Sequence, residues 1–326
     1  MDVLGVDLAK LTFDATLRTT SGTQHYQSFP NTPEGFAQLA AWLQQHDVNH
    51  LHACMEATNV YWEALASFLH ARDYTVSVVN PARIKGYALA TMQRNKTDKL
   101  DSAIIASFCA SHHPDAWQPL TDEQKRLRSL MRHRDDLLLT QGQQQNRLRD
   151  ATDVLVKASL QTVLKAIASE IEAVERAIKE HMAAHAELQT NLKLLTTVVG
   201  IGAVTAAKLL SEFSDLAQYE SAKAAAADAG LTPSHFESGT SVRRRSRMSK
   251  MGKAGIRAAL YWPAITAMTH CPAMKAFAQG LASRGKAKKL IIGAVMRKLV
   301  HICYGVLKHQ TPYDPAKVRT LAARST

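Results

Sequence analysis

The sequence predicts a mixed α/β unit followed by long helices and a mostly α-helical second unit, and three observations carry that prediction. Residues 1 to about 115 alternate short apolar strands with amphipathic helices. No proline occurs between Pro119 and Pro233, so nothing there removes a backbone donor and forces a long helix to end. The charge is divided at the same places: 8 basic and 11 acidic residues in 1–115, 11 and 11 in 116–190, and 21 and 6 in 191–326. Three segments with those boundaries are therefore expected.

The elements follow in order. Met1 to Leu8 is apolar around an isolated Asp7, Leu11 to Leu17 follows, Thr20-Ser21-Gly22 turns, and Gln24 to Phe29 returns, which reads as three antiparallel strands. Helices are expected over 32–45, 60–72, from about Ala82, and over 98–111, with strands over 50–55 and 75–79 between them. Three hairpin strands and then alternating helices and strands fit a ribonuclease-H-like mixed sheet. Two long helices are expected over 121 to about 150 and 153 to about 190, the second carrying Leu160, Leu164, Ile167, Ile171, Val174 and Ile178 at steps of 4, 3, 4, 3 and 4. That narrow seam suits a coiled-coil arm with an oligomeric role better than an internal bundle. Beyond 191, helices are expected over 194–199, 203–213, 222–229, 255–269 and 290–308, with a loop between 230 and 254.

The chain has 326 residues, enough for two or three domains of ~150. With 46% hydrophobic and 21% charged residues it is globular rather than disordered. Cys54, Cys109, Cys271 and Cys303 form no Cys-x-x-Cys pair, no signal peptide opens the chain, and its apolar stretches are interrupted short of the ~20 residues a bilayer needs. A reduced, cytoplasmic protein without a membrane segment is expected. The excess of cations in 191–326 is the footprint of a polyanion-binding module, and the usual polyanion is nucleic acid.

Asp7 inside an apolar strand needs compensation, because burying an unpaired carboxylate is costly. Glu56 ends another strand, and Asp98 and Asp101 share one helix face at i, i+3. These four acids can converge around two Mg²⁺ ions ~4 Å apart for phosphodiester chemistry. Each also has a plainer explanation, since Asp98 after Thr97 favours a helix N-terminus and Glu56 can face solvent. Val199-Gly200-Ile201-Gly202 has the form of a helix-hairpin-helix, whose Gly200 and Gly202 would admit a phosphate, and equally of an ordinary helix-helix turn. Residues 237–253 hold the cations Arg243, Arg244, Arg245, Arg247, Lys250 and Lys253 among four serines. Guanidinium groups there can ease alkoxide formation at a serine, or the segment is a basic loop with bystander serines. Arg284, Lys286, Lys288 and Lys289 add candidate nucleic-acid contacts, and Tyr261 and Trp262 read as core residues.

In combination these blocks resemble the DEDD transposases of bacterial insertion sequences, the IS110 family, which also includes the Piv-type DNA invertases. In the acidic part the resemblance rests on Gly5-Val6-Asp7-Leu8-Ala9-Lys10 with Asp14, Met55-Glu56-Ala57-Thr58 with Tyr61, Asn80-Pro81, and Lys96-Thr97-Asp98-Lys99-Leu100-Asp101. In the basic part it rests on Val199 to Gly202, Ala229 to Pro233, Glu237 to Arg243, Arg247 to Lys250, and Arg257 to Tyr261. The resemblance implies a RuvC-like catalytic domain over 1–115, a coiled-coil connector for oligomerisation over 116–190, and a basic helical transposase domain over 191–326. It maps Asp7, Glu56, Asp98 and Asp101 onto metal-binding acids and Ser241 onto the serine joined covalently to DNA. It further implies donor and target DNA as substrates, a structured bridge RNA as guide, and a dimer or tetramer whose site draws on two protomers. Asn59, Ser102 and Arg244 depart from the family's usual Gly, Ala and Gly, and Arg244 beside the serine bears on the geometry of that loop. The rival readings are a junction-resolving nuclease in which water attacks, and a non-catalytic architectural protein that binds nucleic acid.

Overall fold

The computed structural model describes residues 1–57, 60–92, 97–213, 216–238 and 242–315, with backbone alone at 235–238 and 242–246. The chain divides into two compact units, 1–119 and 120–326.

The first unit is built on the alternation of its opening strands. β1 (Asp2–Leu8), β2 (Thr12–Arg18) and β3 (Gln24–Pro30) form an antiparallel meander. After α1 (Pro33–Gln45), β4 (Leu51–Glu56) pairs parallel to β1, and after α2 (Glu63–His70), β5 (Thr75–Val79) pairs parallel to β4. The five-stranded order is β3-β2-β1-β4-β5, a mixed sheet with β1 in the centre. α3 (Pro81–Ala90) and α4 (Asp98–His112) complete the unit. One side of the sheet packs Phe13, Phe29, Phe36, Leu39 and Leu43, and the other packs Val3, Cys54, Ile105 and Phe108. Burying such side chains supplies about 1.5–3 kcal/mol each, the main force holding helices to the sheet. Ser77 fastens the segment after α4: it meets His52 Nε2 at 2.7 Å and donates to the carbonyls of Pro114 and Asp115 at 2.8 Å.

The second unit begins with two long helices, α5 (Asp122–Asp150) and α6 (Val154–Ala184), joined by three residues. Thr121 and Gln124 close a capping box at the start of α5, which satisfies donors that a helix end leaves open. The two run antiparallel, with Arg134 donating to Glu175 at 2.7 Å and His181 Nε2 lying 2.8 Å from the Glu123 carbonyl. From Ile167 to Ile178 the heptad seam is buried, and Val174 and Ile178 share a core with Leu127 and Met131 of the same chain's α5. The internal arrangement, the less favoured of the two readings of the narrow seam, thus covers this stretch. Leu160 and Leu164 are half-buried.

α7 (Ala186–Thr196), α8 (Ala203–Glu212) and α9 (Ala222–Asp228) follow. The expected loop contains a two-stranded ribbon, β6 (Pro233–Ser238) and β7 (Val242–Met248), before α10 (Ala254–His270), α11 (Pro272–Ser283) and α12 (Lys288–His309). By length and composition α12 could cross a membrane, but its Ile291, Val295, Leu299, Val300 and Cys303 lie in the core of this unit.

Candidate active site

Register brings the first two acids together. β1 and β4 pair in parallel through Val6 and Met55, so Asp7 and Glu56 follow at the same end of neighbouring strands. Asp14 stands opposite Asp7 on β2. The other two acids arrive on α4, whose start is fixed by Thr97: its hydroxyl accepts from the Leu100 N–H at 3.3 Å, leaving Asp98 and Asp101 in the first turn. Carboxylates are favoured there by the helix dipole.

One carboxylate oxygen from each of Asp7, Asp98 and Asp101 lies within 4.8 Å of the other two. Asp7 is half-buried, and its carboxyl is pushed up to about 6, first by burial and then by the charges of Asp101, Glu56, Asp98 and Asp14. A group of hard oxygen donors in which burial and neighbouring negative charge disfavour the Asp7 carboxylate is the donor set a divalent cation suits, since the cation would relieve both burial and repulsion. The four acids expected from the sequence are thus brought to one end of the central sheet.

Two further residues border them. Tyr26 on β3 donates to Asp14 at 2.6 Å, which pushes its phenol up to about 12, and the Lys99 ammonium lies 5.5 Å from the Tyr26 ring centre. Asp14 therefore has a phenol to satisfy it. The sequence held one faint signal of this, because the β2–β3 register places Tyr26 diagonal to Asp14 on the same face.

α4 reaches its place by lying on bare backbone. A Cβ at Gly5 would come within 2.2 Å of Ala106 N and Ser102 O. Ser102 is fully buried, and its hydroxyl meets that of Thr16 at 2.7 Å, which ties α4 to β2. Gly5→Ala is expected to lift α4 off the sheet, lowering stability by about 2–3 kcal/mol and dispersing the acids. A thermal melt checks this, and an unchanged melting temperature would refute the close crossing.

In the second unit, Ser241 lies outside the described residues, as do the side chains of Arg243, Arg244 and Arg245; in the first unit, Asn59 does too. The backbone on either side is described: Ser238 pairs with Val242, and the ribbon extends to Pro233 opposite Met248. The base of the ribbon is clamped. Lys253 pairs with Asp228 at 2.7 Å, Tyr219 donates to the same carboxylate, and Arg257 donates to the carbonyls of Ala229 and Gly252 at 3.1 and 3.0 Å. Lys253, expected as a nucleic-acid contact, is thus held by this clamp, which spacing alone did not reveal.

Of the other expected contacts, Arg247, Lys250, Arg284, Lys286, Lys288 and Lys289 are exposed. Gly200 has φ +96°, and a Cβ there would strike the Pro263 carbonyl at 2.5 Å, so it serves a close packing on α10. Gly202 caps α8 with open space beside it. Tyr261 and Trp262 are 40% and 71% exposed, which corrects their reading as core residues. They stack edge-on to one another, and the buried face of α10 is formed instead by Ile256, Leu260, Ala264 and Ala267.

Comparison with known proteins bears on both units. Residues 4–156 match the IS110 DEDD transposase family, and residues 192–279 match the transposase family IS116/IS110/IS902. The pilin gene-inverting proteins of Moraxella lacunata and Moraxella bovis are each 35% identical over 314 residues, covering 95% of this chain and 97% of theirs. An insertion element IS110 protein of 43.6 kDa from Streptomyces coelicolor is 28% identical over 170 residues, half of this chain and 42% of its own. With both units matched and the gene-inverting proteins aligned over nearly their whole length, the chain belongs to the IS110 family of DEDD transposases and DNA recombinases.

Proposed function

We propose that this recombinase excises and inserts an insertion sequence, or inverts a DNA segment, through two chemical centres on one chain. The observation that carries this reading is the convergence of Asp7, Asp98 and Asp101 beside Glu56 at the end of β1 and β4. These acids would hold Mg²⁺. The ion when bound would lower the cost of charge on the scissile phosphate and its attacking and leaving oxygens.

Ser241 is the proposed nucleophile, supported by its place in the Glu237 to Arg243 block and by the clamp that anchors the ribbon's base. Its Oγ forms a bond to phosphorus as one P–O bond to the neighbouring nucleotide breaks. The serine proton ends on the departing oxygen, and the phosphoserine keeps the bond energy for rejoining. The exposed Arg247, Lys250, Arg284, Lys286, Lys288 and Lys289, with Arg243, Arg244 and Arg245, are the proposed phosphate contacts. The open N-terminus of α8 at Gly202 is another, in a helix-hairpin-helix reading of the turn.

Guidance by a bridge RNA and assembly into a dimer or tetramer complete the proposal. The RNA rests on the family resemblance. The assembly is supported by Leu139, Val154 and Leu155, which are 64%, 81% and 79% exposed around the tip of the α5–α6 hairpin.

The test expresses the protein with its flanking non-coding DNA and a target, denatures the cells quickly and digests the nucleic acid. Mass spectrometry then looks for a nucleotide on the peptide containing Ser241. An adduct that vanishes in Asp98→Ala is the expected result. Recombined product without an adduct would move the attack to water, as in a junction-resolving nuclease.

A further inference from the structure

α12 carries Gly293, Arg297, His301, Tyr304 and Lys308 at steps of 4, 4, 3 and 4, so they share one face of the helix. Both ends of that face are engaged. The Met248 methyl of β7 lies 2.6 Å from where a Cβ on Gly293 would sit, Tyr304 donates to the Tyr219 carbonyl at 3.2 Å, and Lys308 donates to the Ala217 carbonyl at 3.0 Å.

The middle is not engaged. Arg297 Nε and His301 Nε2 are shut away from solvent and have no hydrogen-bond partner among the described residues. A buried polar nitrogen left unpaired costs about 1–3 kcal/mol, so two on adjacent turns mark a place that lacks a partner. The neighbours supply only more positive charge: His301 is pushed down to about 4, first by burial and then by Arg297, Lys298 and Lys223 of α9. The carboxylate at the end of α9, Asp228, is already committed to Lys253. Lys223 is exposed and the other three are half-buried, so the cluster opens at the surface between α9 and α12.

We infer that the Arg297–His301 face of α12, flanked by Lys223 and Lys298, is a seat for a backbone phosphate of nucleic acid. A planar guanidinium and a neutral imidazole both donate to phosphate oxygens, and the two lysines balance the charge. Arg297 stands one helical turn, about 6 Å along the axis, from the point where β7 rests on Gly293. A strand held here would therefore lie close to the ribbon that leads to Ser241. The inference rests on the reading of the second unit as the nucleic-acid-binding one, and it adds a site that the arginine-rich ribbon does not include.

The test measures binding of a fluorescent 30-base-pair duplex of arbitrary sequence to the full chain by anisotropy across a salt series. Variants are Arg297→Met, Lys223→Gln and His301→Gln, with Arg176→Met on exposed α6 as control. Arg297→Met and Lys223→Gln are expected to weaken binding about 10-fold and 3-fold, each reducing the slope of log affinity against log salt by about 1. His301→Gln is expected to weaken binding without changing the slope, because the ring it removes is neutral. Lys223 is exposed, so its variant keeps the test valid if Arg297→Met fails to fold. Wild-type affinity and slope in Lys223→Gln and His301→Gln would overturn the seat. If the wild-type chain shows no salt-dependent binding, the reading of the second unit falls and the seat with it. Stabilisation by inorganic phosphate alone, with duplex binding unaffected by the variants, would assign the site to free phosphate and overturn the backbone assignment.

Discussion

Asp7→Asn is expected to abolish DNA cleavage while raising the thermal stability of the metal-free protein. Cleavage should fall on the order of 10³-fold or more, because the central member of the proposed ligand set loses its charge. Stability moves the other way because Asp7 is half-buried among like charges. With a folded pKa of about 6 against an ordinary 3.8, folding favours its protonated form. The penalty is absent below about pH 4, grows as pH rises through 6, and is complete above it. Discounted for partial exposure it amounts to about 1 kcal/mol, or a few degrees in melting temperature. Melts in chelator at pH 5 and 7.5 should show Asp7→Asn gaining on wild type at both, and by more at the higher pH. Mg²⁺ should then stabilise wild type and leave the variant unmoved. A variant less stable than wild type at pH 7.5 would show that the carboxylate is held by an attraction instead.

Ser241→Ala is expected to remove strand transfer and the covalent adduct together, with a loss on the order of 10⁴-fold or more, while duplex binding stays within about twofold. Binding persists because phosphate contacts come from the cations, and a hydroxyl contributes little to a salt-dependent affinity. Recombination assays paired with anisotropy check both halves. An adduct that survives in Ser241→Ala would hand the role to a neighbouring serine such as Ser238 or Ser246.

The first unit was legible because its signals are local and agree with one another. Alternation in 2–30 specifies a meander, an acid inside an apolar strand marks the centre of the sheet, and Thr97 before Asp98 starts a helix where two carboxylates share a face. What sequence reading missed depends on contacts between distant residues. The run Val242 to Met248 has no apolar alternation, so its strand pairing with 233–238 could not be read from periodicity. Tyr261 and Trp262 look apolar in sequence, but α10 turns Leu260 and Ala264 inward and leaves the aromatics outside. The heptad of α6 was read correctly as a seam, yet a seam does not say which helix fills it, and a three-residue link to α5 supplies a partner in the same chain. Gly200 and Lys253, expected as phosphate contacts, also have partners within the fold, Pro263 and Asp228, that residue type does not reveal.

The crossing of α4 over Gly5 also bears on when the site can exist. Its acids come from 7, 56, 98 and 101, and α4 is held to the sheet by Ser102, Ala106 and Cys109, so the cluster closes only after more than 109 residues have been made and packed. Long-range contacts of this kind form late in folding. A chain still on the ribosome, or one cut short before 109, carries Asp7 and Glu56 without the geometry to use them. The acidic cluster proposed to cut DNA is therefore absent from unfinished copies of the chain.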